Sequence, residues 1–228
     1  LPPGCLQLEA GIQSFSTEVN ARVARHQRLE RACANLRWLV ERGVDVHADL
    51  IAGLPGEGLE SFAEGFDRLY ALGPHEIQVG ILKRLHGAPL ARHEEAFELV
   101  FDPAPPYEVL QTSELDFATL QRLKRFAHYW EIIGNRPLYR DVVPLLRDAA
   151  GSLFWGFWAL SEWLFGQVGR TAGIARDRLS LLLLRYLHER RGAAAAEKGG
   201  LELLARYRQE GHRPPAAVAA FAKPTSPP

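Results

Sequence analysis

Gln7, Glu9, Gly11 and Gln13 alternate with Leu6, Leu8, Ala10 and Ile12 near the start of the chain. Asp45, His47 and Asp49 alternate in the same way with Val44, Val46, Ala48 and Leu50. A weaker repeat follows over Ile77 to Lys83, where Gln78 and Gly80 face away from Ile77, Val79 and Ile81. Alternation with a period of two places each set on its own face of a strand. One face of the assembly is then apolar. The other carries carboxylates, carboxamides and an imidazole, groups that recognise a polar ligand and are costly to bury without partners.

The elements between these strands say how they are arranged. Arg28 to Glu41 carries Leu29, Ala32, Cys33, Leu36, Leu39 and Val40 on one helical stripe, and Leu59 to Tyr70 carries Leu59, Phe62, Phe66, Leu69 and Tyr70. Strands that alternate with amphipathic helices imply an α/β fold with a parallel sheet and crossover helices. Strands covered on both faces usually read as continuous apolar runs. A polar face therefore points to a curved sheet, a partial (β/α) barrel fragment whose concave side holds a polar ligand. The alternative is an antiparallel sheet with one wet face, which the intervening helices disfavour.

Composition narrows the class. The chain has 228 residues, zero formal net charge and 47% hydrophobic residues, with enough apolar content for a sizeable core. Neutral charge argues against nonspecific nucleic-acid binding. Cys5 and Cys33 are too few for a disulfide framework and too far apart for a usual metal motif, so no metal ligands are assigned. No signal peptide and no membrane-length apolar run is present, which gives a cytoplasmic expectation. The chain lacks methionine and opens on Leu-Pro-Pro almost directly before a strand. Upstream strands, and hence an N-terminal part of the same protein as partner, are expected.

Three parts follow from this reading: residues 1–104 as the strand–helix part, 105–211 as an all-α domain, and 212–228 as a disordered Ala- and Pro-rich tail. A short helix is expected around Ala91 to Leu99 and a strand over Tyr107 to Thr112. Ser113 or Asp116 caps the helices beyond. These are placed near Phe117–Ile133, Leu138–Ala149, Leu153–Val168, Arg176–Arg190 and Leu201–Gln209. The aromatic cluster Phe154, Trp155, Phe157, Trp158, Trp163 and Phe165 reads as the core of a helical bundle.

Three motifs carry a resemblance: Glu9-Ala-Gly-Ile-Gln-Ser14, Asn20-Ala-Arg-Val-Ala-Arg25 and Asp49-Leu-Ile-Ala-Gly-Leu-Pro-Gly56. Their order and spacing resemble the second half of the radical S-adenosylmethionine (SAM) core. The likeness is to the subgroup related to oxygen-independent coproporphyrinogen oxidase and to the cobalamin-binding members. Residues 77–90 resemble the last barrel strand and its loop, and the helical remainder resembles an accessory C-terminal domain. The resemblance implies that Gln13 and Asp49 accept hydrogen bonds from the SAM ribose hydroxyls. It implies that Arg25, placed on the helix after the first strand, holds the methionyl carboxylate. Glu9 faces the same cavity. Gly53 begins a turn that lets backbone approach a ligand, or simply turns the chain into the next helix. His47, Gln78 and Lys83 are cavity or substrate candidates. Structural hydrogen bonding for His47 and Glu9, and a solvated loop for Lys83 and Arg84, are the plainer roles.

One departure matters. The CxxxCxxC loop that binds the 4Fe-4S cluster in this family is missing, and Cys5 and Cys33 cannot replace it. No cobalamin-binding sequence is present either. The reading is the C-terminal portion of a radical SAM enzyme, inactive alone. In the intact parent a reduced cluster would cleave SAM to a 5′-deoxyadenosyl radical acting on an unidentified small-molecule or peptide substrate, with cobalamin a possible further cofactor. The rival readings are a non-catalytic helical module that binds a partner on a (β/α) scaffold, and a different (β/α)-barrel enzyme.

Overall fold

The computed structural model describes residues 5–85 and 89–222, so the opening Leu-Pro-Pro-Gly, part of the loop after the third strand and the last six residues lie outside it. It resolves into two compact units, Leu1–Ala127 and His128–Pro228.

The first unit is α/β. Strands β1 (Gln7–Gln13), β2 (Asp45–Ala52) and β3 (Glu76–Ile81) form one parallel sheet in the order β1-β2-β3. Helices α1 (Thr17–Arg22) and α2 (Leu29–Glu41) connect the first pair, and α3 (Leu59–Ala71) connects the second. The apolar half of β2 is sealed: Val46, Ala48, Leu50 and Ala52 are all buried. Phe62, Ala63, Phe66 and Leu69 of α3 are buried as well. Phe66 meets the ring of Phe126 edge-on at 5.2 Å, a favourable aromatic geometry. In β1, an edge strand, only Ile12 is buried.

A short antiparallel pair, β4 (Val100–Phe101) and β5 (Val109–Gln111), follows. Where a helix over 91–99 is expected, one turn of 3₁₀ helix forms at Pro89–His93. A single 3₁₀ turn is the usual form of so short a connector. Helix α4 (Phe117–Ile133) starts at the Asp116 cap, whose Oδ1 accepts from Thr119 N at 2.8 Å, and the boundary between the units falls within it.

The second unit is helical, with α5 (Leu153–Val168), α6 (Arg176–Arg191), α7 (Ala193–Gln209) and α8 (Ala216–Phe221). Ser152 caps α5 by accepting from Trp155 N, and Gly169 ends it at φ +65°. Phe154, Phe157, Leu160 and Leu164 of α5 are fully buried and Trp158 nearly so, but Trp155 and Trp163 are half-buried and Phe165 is exposed, so only part of the aromatic cluster is core. The helix expected over 138–149 is replaced by 3₁₀ turns at Pro137–Tyr139 and Val143–Leu146, because Pro144 removes an N–H in mid-segment. Helix α7 starts eight residues before the expected Leu201, carried by its Ala run through Gly199 and Gly200. A Cβ on Gly199 would lie 2.8 Å from Leu187 Cδ1 and one on Gly200 3.0 Å from Ala222 N, so both glycines are closely packed. Part of the segment expected to be disordered is likewise ordered as α8, with Val218 buried.

Candidate functional site

Parallel register lines the polar residues up across the sheet. Glu9, His47 and Glu76 form one row, and Gly11, Asp49 and Gln78 the next. Both rows lie on the face away from Val46, Ala48 and Leu50. His47 is 15% exposed in its side chain; its Nδ1 lies 3.0 Å from Gln7 Nε2 and 3.5 Å from Glu76 Oε2. Glu9 and Gln78 are exposed.

Asp49 is the group that this arrangement leaves unsatisfied. Its Oδ1 is buried and has no hydrogen-bond partner among the described residues. Burial pushes its carboxyl above the usual range, and the Glu9 charge pushes the same way. Arg25 and His47 pull against them. Glu9, Arg25 and His47 all lie within electrostatic reach of Asp49. A buried carboxylate oxygen with no donor suits a ligand that brings its own hydroxyl or ammonium.

Arg25 is held in place by backbone. Helix α1 ends at Arg22, so Arg25 lies in the link between α1 and α2 and not on a helix as expected, since Ala24 turns to φ +59°. Its Nη2 donates to Gly11 O at 2.7 Å. A Cβ on Gly11 would lie 3.1 Å from that nitrogen, so the glycine makes room for the guanidinium. Gln27 Nε2 donates to the next carbonyl, Ile12 O, at 2.7 Å. Gln13 ends β1 at φ +62°, after a register shift between Gly11 and Gln13. This left-handed residue re-aims the strand end, a common device beside binding sites.

Gly53 has a different explanation. At φ +88° it is buried, and a Cβ there would lie 2.6 Å from Val109 Cγ1. The left-handed backbone and the closeness of β5 both require glycine. Lys83 is exposed beyond β3, where its backbone forms an isolated antiparallel β-bridge with Glu108. Arg84 is paired with Glu94 at 2.8 Å.

A buried cluster that the sequence reading missed sits behind the strand ends. Glu57, directly after Gly53-Leu-Pro-Gly56, is 2% exposed. Ser14 Oγ donates to its Oε1 at 2.5 Å, and Ser61 Oγ approaches the same oxygen at 3.5 Å. Burial raises the Glu57 carboxyl to about 7 against the two serine hydroxyls, which lower it. Asn20 Nδ2 donates to Ser14 O at 2.7 Å. The only sequence signal was a glutamate wedged between two glycines of a turn, where a solvated residue is the default.

The cysteines do not form a cluster site. Cys5 is exposed and Cys33 half-buried, and burial pushes the Cys33 thiol up, away from the thiolate that metal ligation needs. No group of three or more metal-ligating side chains occurs among the described residues.

Comparison with known proteins gives a distant and partial likeness. No family model matches the chain. Over 77 residues it is 32% identical to the oxygen-independent coproporphyrinogen III oxidase of Cereibacter sphaeroides, a match covering 33% of this chain and 17% of that enzyme. A solved structure from Escherichia coli, described as coproporphyrinogen III oxidase (HemN) and a radical SAM enzyme, aligns over 91% of this chain and 58% of its own. That alignment has 21% identity and a TM-score of 0.39. The chain is distantly similar, over a third of its length, to an oxygen-independent coproporphyrinogen III oxidase, and the match spans about a sixth of that relative's length. Among the described residues, no helix is long and apolar enough to cross a membrane.

Proposed function

We propose that this chain supplies part of the SAM-binding wall of a radical SAM enzyme related to oxygen-independent coproporphyrinogen oxidase. The observation that carries the proposal is the unpartnered, buried Oδ1 of Asp49 beside Arg25 and Glu9, in a chain with that likeness. Asp49 and Gln13 accept from the two ribose hydroxyls. Arg25, already fixed through Gly11 O, presents its remaining N–H groups to the methionyl carboxylate. Glu9 lies on the same polar face, next to His47. SAM bound beside a reduced cluster supplies the radical chemistry. The residues here bind and orient it, while His47 and Gln78 border the space left for substrate.

The described residues do not fit a 4Fe-4S cluster, so its ligands come from outside this chain, in a preceding part of the same polypeptide. Cobalamin is left out of the proposal: no residue here points to it, and neither matched protein is described as using it. A cytoplasmic location goes with this reading.

Two tests are direct. A CxxxCxxC motif encoded upstream in the same gene supports the assignment, and its absence refutes it. In the full-length protein, Arg25→Ala and Asp49→Ala should each weaken SAM binding severalfold or more by calorimetry. Unchanged affinity in both would remove these residues from the site.

A further inference from the structure

The cluster behind the strand ends has more acceptors than donors. Ser14 Oγ donates to Glu57 Oε1 and accepts from Ser16 N at 2.9 Å, and Ser14 O accepts from Asn20. Glu57 Oε2 and Asn20 Oδ1 are both buried with no partner among the described residues. Both belong to side chains about 98% buried and both are tied to Ser14. Two acceptors are thus left without a donor, and a proton on Glu57 would take the charge off one of them.

We propose that Glu57 is a protonated positioning residue, a latch that fastens the end of β1 to the exit loop of β2. With its proton the side chain is a neutral partner for Ser14. Without it, a charge sits in a closed space offering only two hydroxyls. The β1 end, with Ser14, Ser16 and the start of α1, then loosens. Gln13 is the residue immediately before Ser14, so the latch also sets how it is presented. That last consequence rests on the proposed ligand role of Gln13; the latch does not.

The groups around Glu57 leave it without a compensating charge. Arg22 of α1 is spent on Pro55 O at 3.2 Å, on Glu18 at 3.4 Å, and against the ring of Phe97. On α3, Ser61 faces the carboxylate, Glu60 is exposed, and Arg68 lies over the ring of Phe15. From the 3₁₀ turn, His93 and Arg92 reach Arg22 O and not Glu57. No cation contributes to the Glu57 shift, which burial dominates.

The test is amide hydrogen exchange at Ser16 and Val19 between pH 5 and 8, corrected for intrinsic rates. Their N–H groups bond to Ser14 Oγ and Ser16 Oγ. If the closed state holds its proton up to about 7 and the open state releases it near 4.5, opening grows between those values by somewhat less than tenfold per pH unit. It rises about 40-fold from pH 5 to 7 and then levels. Glu57→Gln, which keeps shape and neutrality, should show no such rise, and Ser14→Ala should exchange fast throughout. A flat profile in the unaltered protein, or the same rise in Glu57→Gln, overturns the latch. Should the variants not fold, the carbon-13 shift of the Glu57 carboxyl decides: a midpoint near 7 supports it, one near 4.5 refutes it. None of these readouts involves SAM, so failure of the latch is separable from failure of the ligand assignment.

Discussion

Asp49→Asn should move stability and ligand affinity in opposite directions. The substitution keeps the shape of the side chain and removes its charge. In the ligand-free protein that charge is a liability: Oδ1 is buried without a donor, and burial together with Glu9 disfavours the ionised form. What the substitution removes is the cost of holding a charge there, since an amide still occupies the site; Asp49 is only half-buried and Arg25 offsets part of the penalty, which leaves about 1 kcal/mol. For a protein of this size, that raises the melting temperature by about 2–4 °C. It should be read by calorimetric melting at pH 8, where the carboxylate is charged. The ligand sees the reverse. A charge-assisted hydrogen bond to a ribose hydroxyl becomes a neutral one, a loss of about 1–2 kcal/mol, or roughly tenfold in affinity. A functional site that sacrifices stability shows this pairing. If Asp49→Asn melts lower than the parent, the carboxylate has a partner in the folded chain and the argument for a waiting acceptor fails.

Gly53→Ala should destabilise the first unit by about 2–5 kcal/mol, combining left-handed backbone strain with overpacking against Val109, as judged by urea unfolding. An unaltered midpoint would mean that the turn has free space. In the second unit, a Cβ at Gly156 would collide with the carbonyl oxygen of Leu146. Gly156→Ala should therefore cost several times more than Gly166→Ala, where nothing lies within 4 Å; equal losses would contradict the close approach. Stability should also fall with pH. The folded Glu57 carboxyl, raised to about 7 from an ordinary 4.5, keeps its proton where the unfolded chain has lost it. Its contribution is therefore whole below pH 4.5, is lost between 4.5 and 7, and stays lost above, a change on the order of 3 kcal/mol. The difference between the parent and Glu57→Gln in pH-dependent melts isolates it from Asp49. A difference that does not vary with pH would contradict the buried, protonated state.

The polar face was legible because a period-two pattern survives wherever the opposite face is sealed. Val46, Ala48 and Leu50 are buried as the alternation requires, and this puts His47 and Asp49 on the other side. Helices α3, α4 and α5 are found within a residue or two of their expected bounds, each with strong periodicity or a side-chain cap, and β3 lies as close to its bounds on a weaker repeat. Local backbone was not legible. Arg25 leaves the helix because Ala24 adopts a left-handed turn, which no residue type there announces. The Leu138–Ala149 pattern has helical spacing, but Pro144 breaks the hydrogen-bond ladder that spacing alone assumes. Glu57 was invisible for another reason: its burial arises from Ser14 and Ser61, which lie 43 and 4 residues away and meet it only in the folded chain.

A structure of the full-length protein with SAM bound would test the central claim most directly. The account predicts ribose hydroxyls within hydrogen-bonding distance of Gln13 and Asp49, with the methionyl carboxylate on the Arg25 guanidinium. SAM bound elsewhere, with Asp49 Oδ1 still lacking a donor, would contradict it.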